Sequence, residues 1–228
     1  MGGVKKIKKT SPKIFLYQIL LLHLSNNLKL FKMNRLKLMY DSSPESPRTW
    51  DNLGTMVCFH NRYDLGDKHN YSSDDYSGWE EMKKTIIKEE NTAVILPLYL
   101  LDHRVLQIST TSFKGEIARW DSGQIGFIFV SKEKALEEFG GKIVTAKLKE
   151  RIEKILEGEV ETYTQYVEGD VYGFQIIDED DDIIDSCYGF FGSDHKESGM
   201  LDYIDHELLG LDNKEQVAEL LDTLEIEY

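Results

Sequence analysis

Ten side chains in this sequence have the chemistry of a binding site: His60, Arg62, Tyr63, Asp67, Asp102, His103, Trp120, Asp121, Ser122 and Gln124. Arginine, tryptophan and tyrosine carry much of the energy at recognition surfaces, while His, Asp, Ser and Gln supply the donors and acceptors that fix an approaching group. The ten fall into three clusters at the ends of apolar runs. The first follows Thr55-Met56-Val57-Cys58-Phe59, the second closes Val94-Ile95-Leu96-Pro97-Leu98-Tyr99-Leu100-Leu101, and the third precedes Ile125-Gly126-Phe127-Ile128-Phe129-Val130. Residues at strand ends can be held by a rigid sheet. Two chemistries are open to them: recognition of a partner, or acid–base work by His60, His103 and Asp121 on a small phosphorylated ligand gripped by Arg62. The competing reading is that they brace loops through side chain to backbone hydrogen bonds.

Other chemistries are poorly provided for. Ser122 stands in Asp-Ser-Gly rather than in the Gly-x-Ser-x-Gly elbow of a nucleophilic serine, and Ser186-Cys187 falls inside an expected strand. The glycine pairs are not followed by Lys-Ser/Thr, so no phosphate-cradling loop is present. No His-x-x-x-His or Cys-x-x-Cys spacing occurs, and neither a metal ligand set nor a cofactor is expected. The acidic run Asp178-Glu179-Asp180-Asp181-Asp182 lacks the glycine and terminal Glu of a calcium loop, and reads as a solvated hairpin tip.

The 228 residues carry a formal charge of −14, unevenly spread. Residues 1–40 hold nine Lys/Arg and no Asp or Glu, which leaves 18 basic against 41 acidic residues in the remainder, a net −23. Such a field repels nucleic-acid phosphates and favours basic partners or simple solubility. The two cysteines, Cys58 and Cys187, each sit in an apolar run and read as buried thiols of a reducing compartment.

Residues 1–32 differ from the rest. A basic start leads into Ile14-Phe15-Leu16-Tyr17-Gln18-Ile19-Leu20-Leu21-Leu22-His23-Leu24, which is too short for a membrane span and has no small-residue cleavage site after it. The alternating stretch from Met33 resembles a first β-strand, so 1–32 is read as a non-core basic extension, upstream of the true start. A membrane-associating amphipathic helix is the competing reading, and only that reading gives the chain a membrane partner.

The elements that must position the clusters follow from periodicity. Strands are predicted over 33–40, 55–60, 93–101, 105–111 and 125–130, with Pro97 confined to an edge or bulge because it lacks an N–H. Helices are predicted over 78–88, after an N-cap at Ser131, over 144–157 with Gly158 as its stop, and from Asn213. A three-part β region is expected over 159–167, 171–177 and 183–191, followed by a segment 201–209 stopped by Gly210. Strands and helices in mixed order predict an α+β fold, a mainly antiparallel sheet with several short helices packed on it. Residues 33–228 are expected to form one acidic domain, within which 140–228 can form a C-terminal lobe. The Trp50-Asp51 and Trp120-Asp121 corners, 70 residues apart, are read as shared turn chemistry, an Asx-turn after a packed Trp.

The chain resembles a family of small acidic proteins encoded by tailed phages and prophages. The likeness is carried by Pro44-Glu45-Ser46-Pro47-Arg48, Trp50-Asp51-Asn52-Leu53-Gly54, Arg62-Tyr63, Leu65-Gly66-Asp67, Asp102-His103, Trp120-Asp121-Ser122-Gly123-Gln124 and Gly169-Asp170-Val171-Tyr172-Gly173, and spans roughly 33–192. Where the resemblance leads one to expect a glycine-containing turn after Asp102-His103, this chain has Arg104-Val105. The resemblance implies a cytoplasmic accessory protein that binds a host or competing-phage protein, with no particular reaction attached. A binder or enzyme for a nucleotide-like phosphorylated ligand and a DNA-mimicking acidic inhibitor are the alternatives, and direct nucleic-acid binding is not expected.

Overall fold

The computed structural model describes residues 34–227, and the expectations for 1–32 lie outside the described residues. Eight strands run β1 (Arg35–Tyr40), β2 (Thr55–Cys58), β3 (Thr92–His103), β4 (Val105–Ser109), β5 (Ser122–Ser131), β6 (Val171–Ile177), β7 (Ile183–Phe191) and β8 (Ile226–Glu227). The helices among the described residues are α1 (Trp79–Glu89), α2 (Glu116–Asp121), α3 (Lys132–Phe139), α4 (Ala146–Glu168), α5 (Met200–Tyr203) and α6 (Lys214–Leu221). The class is α+β. None of these helices is long and apolar enough to cross a membrane.

The chain divides into two compact units. The larger comprises 40–173 and 188–200 and contains all ten candidate residues. Its sheet has the order β2-β5-β3-β4 and is antiparallel throughout. The unbroken apolar run of β5 has a simple cause: both faces of the strand are covered. Ile128 and Val130 join Met56, Leu98 and Leu100 in a core that includes Ile152, Leu156 and Val160 of α4. Phe127 and Phe129 point the other way, against Met82 and Ile86 of α1. Burying each such side chain stabilises the unit by about 1.5–3 kcal/mol, which outweighs the weak local preferences of the helices.

The smaller unit takes its described residues from 34–39, 174–187 and 201–227. There β8 pairs in parallel with β1, Leu38 opposite Ile226, within a sheet of order β7-β6-β1-β8. Lys37 Nζ lies 2.8 Å from Glu227 Oε2, and Arg35 pairs with Asp181. Asn213 caps α6, its side chain accepting from the Gln216 N–H. At the acidic tip, Asp178 Oδ1 accepts from the N–H groups of Asp180 and Asp182, so one carboxylate organises the turn while Asp181 meets Arg35 and Asp180 and Asp182 are exposed.

Several expectations need correction. Gly158 does not stop the helix begun at Ala146, which runs 23 residues to Glu168 and ends at Gly169 in the left-handed conformation. A helical Gly costs only about 1 kcal/mol relative to Ala, and the buried stripe Ile152, Leu156, Val160, Tyr163 continues through it. The segment 159–167 is therefore helix, not strand. The corner expected at Trp120-Asp121 is the end of α2, and β5 starts at Ser122. Cys58 is buried but Cys187 only partly so. The segment 201–209 holds the short α5 and then turns that lead to Gly210, at φ 67°. Pro97 lies where β4 has not yet begun, since β4 pairs β3 only from Tyr99 onward, so its missing N–H interrupts no ladder on that side.

Candidate functional site

Six of the ten candidates meet around one open depression of about 440 Å3: His60, Arg62, Asp102, Trp120, Asp121 and Ser122. The sheet brings them together through an irregularity. Leu98 pairs with Gly126 and Tyr99 with Gln124, which leaves Ile125 unpaired in the β3–β5 ladder. Such a bulge bends a strand and re-aims its end. The Ile125 carbonyl instead accepts from the Phe59 N–H at 2.7 Å, tying the segment after β2 to the same corner.

Around this depression the polar groups are paired with one another. His103 Nδ1 donates to Asp121 Oδ2 at 2.8 Å, because a carboxylate can only accept. The bond joins the β3–β4 turn to the end of α2. Arg62 reaches the Tyr63 hydroxyl at 3.5 Å and Asp102 Oδ2 at 3.3 Å, and the Tyr63 hydroxyl first, then Asp102, holds its guanidinium more firmly charged than usual. His60 stacks on Tyr63, ring centroids 5.0 Å apart, and its Nδ1 accepts from the Arg62 and Tyr63 N–H groups. Ser122 gives its hydroxyl hydrogen to the Ala118 carbonyl at 2.5 Å, so it braces the helix end.

Trp120 overturns the expectation of a packed corner. It is 84% exposed, and Ile117, three residues earlier on α2, is 53% exposed. Residues at i and i+3 share a helix face, and here Ala118 is the residue that α2 buries. The Asp121 side chain at this corner is engaged by His103 across the β3–β4 turn. Val105, beside the turn that carries His103, adds a third exposed apolar side chain at 46%. Trp50, at the other corner, is half exposed and meets Phe191 edge-on at 5.3 Å.

Two candidates stand apart. Gln124 is partly buried and its Nε2 reaches the Gly126 carbonyl of its own strand at 3.3 Å. Asp67 belongs to an internal network. Its oxygens accept from Arg48 Nε at 2.9 Å and Nη2 at 2.6 Å, and Oδ2 also accepts from the Met56 N–H. Arg48 further donates to Glu159 Oε2 and the Gly54 carbonyl, while Glu159 takes the N–H groups of Leu53 and Gly54. The Arg48 side chain is only 6% exposed. Burial alone would favour a neutral guanidine, but Asp67 and Glu159 outweigh it and raise the Arg48 pKa. Sequence reasoning missed Arg48 and Glu159, which lie 111 residues apart, and it missed Ile117, whose i,i+3 spacing to Trp120 is visible in the sequence.

Arg104 explains the departure at the β3–β4 turn. It connects the paired residues His103 and Val105 and holds φ at 61°, the region a glycine occupies without cost. A left-handed non-glycine residue costs roughly 1–2 kcal/mol, partly offset by the greater freedom glycine has when unfolded. Arg104→Gly should therefore stabilise the protein by about 0.5–1 kcal/mol, measured by denaturant titration. A loss of stability would show that the exposed guanidinium has a contact of greater worth.

Among the described residues no group of three or more His, Cys, Asp and Glu is arranged to hold a metal ion. Compared with protein families, with curated proteins and with solved structures, the chain matches none.

Proposed function

We propose that this protein acts by binding a protein partner, with Trp120, Ile117 and Val105 as the apolar anchor of the docking surface. The observation that supports this reading is Trp120 itself, 84% exposed at the lip of a depression walled by paired polar groups. An exposed tryptophan is costly to leave in water and is the residue type most enriched among binding hot spots. Asp102 and Asp121 beside it, together with a net charge of −14, suit a partner whose surface is apolar and basic. In keeping with the resemblance to proteins of tailed phages, the partner is a protein of the bacterial host or of a competing phage, met in the cytoplasm.

The test is comparative capture followed by reconstitution. A protein retained from host lysate by the wild type is purified and titrated against wild type, Trp120→Ala and Ile117→Ala. Trp120→Ala should weaken binding by about 30-fold or more, as loss of a hot spot does, while changing folding stability by less than about 0.5 kcal/mol. Equal affinity in the variant would refute the surface.

A small phosphorylated ligand is the second reading, favoured by the His103–Asp121 bond close to Arg62. It is the weaker of the two, because Arg62 is already paired with Asp102 and two carboxylates line the same depression. Nucleotide binding that is lost in Arg62→Ala and retained in Trp120→Ala would favour it.

A further inference from the structure

The Trp120 surface rests on a helix that cannot hold itself. α2 has six residues, its N-cap Gly115, at φ 106°, has no side chain to accept from the first turn, and Ala118 is the one residue it buries. Helices shorter than about 12 residues are marginal in water even when their sequence favours them, so α2 owes its place to what it touches. One alanine gives it little. Burying a single methyl group stabilises by less than fixing the backbone of one residue costs.

Two hydrogen bonds from outside the helix make up the difference. The β3–β5 ladder ends with Leu101 opposite Ser122, so the sheet fixes the chain only from the residue at which α2 stops. Ser122 is the C-cap and is extended, at φ −129° and ψ 151°, while its hydroxyl donates to the Ala118 carbonyl at 2.5 Å. Carbonyls in the last turn have no N–H partner within their own helix, and this hydroxyl supplies one. From the β3–β4 turn, His103 Nδ1 donates at 2.8 Å to Asp121, the last residue of α2, and hydrogen bonds to a carboxylate are among the stronger ones. One bond grips Ala118 and the other Asp121, and two points fix the direction of so short a rod. Trp120 lies between the grips and Ile117 beside the first. Both donors belong to side chains outside the buried core: His103 is exposed and Ser122 only partly buried. The clamp can therefore be opened without opening the core.

We propose that His103 and Ser122 are positioning residues for the Trp120 surface, which set its affinity for a partner by holding α2 in place before the partner arrives. The inference rests on the docking reading above and gives that surface a control point. A partner that must order α2 as it binds meets an affinity reduced by the fraction of molecules in which α2 is already in place. The anchor and its strength then reside in different residues: Trp120 and Ile117 touch the partner, and the clamp decides how often they are presented.

The experiment has one arm without a partner and one with it. Backbone 15N relaxation is measured on the full chain, on Ser122→Ala and His103→Ala, and on Ser122→Thr and His103→Asn, which keep a donor near the same place. Order parameters of the amides at 116–121 should be about 0.85 in the wild type, fall below about 0.6 in each alanine variant and recover in the two conservative ones. The host protein purified for the Trp120→Ala titration is then titrated against the same set. Each alanine variant should bind about fivefold or more weakly, as loss of one hydrogen bond in the held state implies, and each conservative variant should stay within about twofold of the wild type. Denaturant midpoints verify that the variants are folded; should one alanine variant fail that check, the other carries the test. Unchanged order parameters in the alanine variants overturn the proposal and leave the docking surface standing. A loosened α2 with undiminished affinity overturns it as well. Should Trp120→Ala itself bind like the wild type, the docking surface falls, and the proposal with it.

Discussion

Arg48→Ala should destabilise the protein by roughly 3–5 kcal/mol, enough to leave a domain of ordinary stability close to unfolding. The reason lies in what remains behind. Asp67 and Glu159, whose side chains are 22% and 12% exposed, would keep their charges without a counterion, and the Gly54 carbonyl would lose its donor. Arg48→Lys should fail almost as badly, since one ammonium cannot serve both edges of the Asp67 carboxylate, Glu159 and a carbonyl at once. The mechanism is separable from lost packing. In the Arg48→Ala background, Asp67→Asn with Glu159→Gln removes the stranded charge and keeps an acceptor oxygen for the N–H groups of Leu53, Gly54 and Met56. Denaturant titration should show partial recovery in the triple variant. Further loss there would mean that the network matters for its shape and not its charge.

Gly126→Ala is expected to be as damaging, at roughly 3 kcal/mol or more, through sterics alone. A methyl group at Gly126 would stand 1.9 Å from the Val57 carbonyl oxygen and 3.1 Å from the Cys58 Cα, both of them backbone of β2. Backbone cannot rotate away as a side chain can. The strand itself must retreat, and with it the pairing of Cys58 with Gly126 and Val57 with Phe127. Gly123→Ala is the internal control: it lies in the same strand with nothing within 4 Å of the added carbon, and it should change stability by less than about 0.5 kcal/mol. Similar losses at the two sites would point to backbone entropy instead of the close approach.

The two glycines of Gly123-Gln124-Ile125-Gly126 look alike in the sequence, and only the packing separates them. The same division runs through the fold. Where a signal is local, it was legible: the Ser131 cap whose side chain accepts from the Lys134 N–H, the Asn213 cap, the α1 stripe and the apolar density of β5 all follow from neighbours a few residues away. Where the deciding partner is distant, it was not. Gly158 reads as a stop until Val160 and Tyr163 are seen buried against the sheet. Trp120 reads as an anchor because tryptophan is usually covered, and nothing in its neighbours reveals that α2 buries Ala118 instead. For the site, the residue types at strand ends picked out the six that converge, while the network that holds Asp67 was hidden because its partner Arg48 sits 19 residues upstream, in a segment with no periodic signal.

The smaller unit has a consequence for how the chain is made. Its β1–β8 pairing sets Leu38 against Ile226, so even after β6 has paired with β1 on one side, the other side of β1 stays open until nearly the whole of the described chain has been synthesised. The larger unit meets no such delay in its sheet and principal helices, which lie between residues 40 and 173. At about 5–20 residues per second on a ribosome, the gap between residues 173 and 226 is several seconds. Hydrophobic collapse and local helix formation are over in far less than a millisecond. The nascent chain therefore spends those seconds with one sheet in place and the β8 side of β1 as an open edge, the state in which strands of neighbouring chains can pair wrongly. Yield in the cell is then governed by the pace of translation through 174–226 and by how many copies emerge side by side, and it can fall without any loss in the stability of the finished protein.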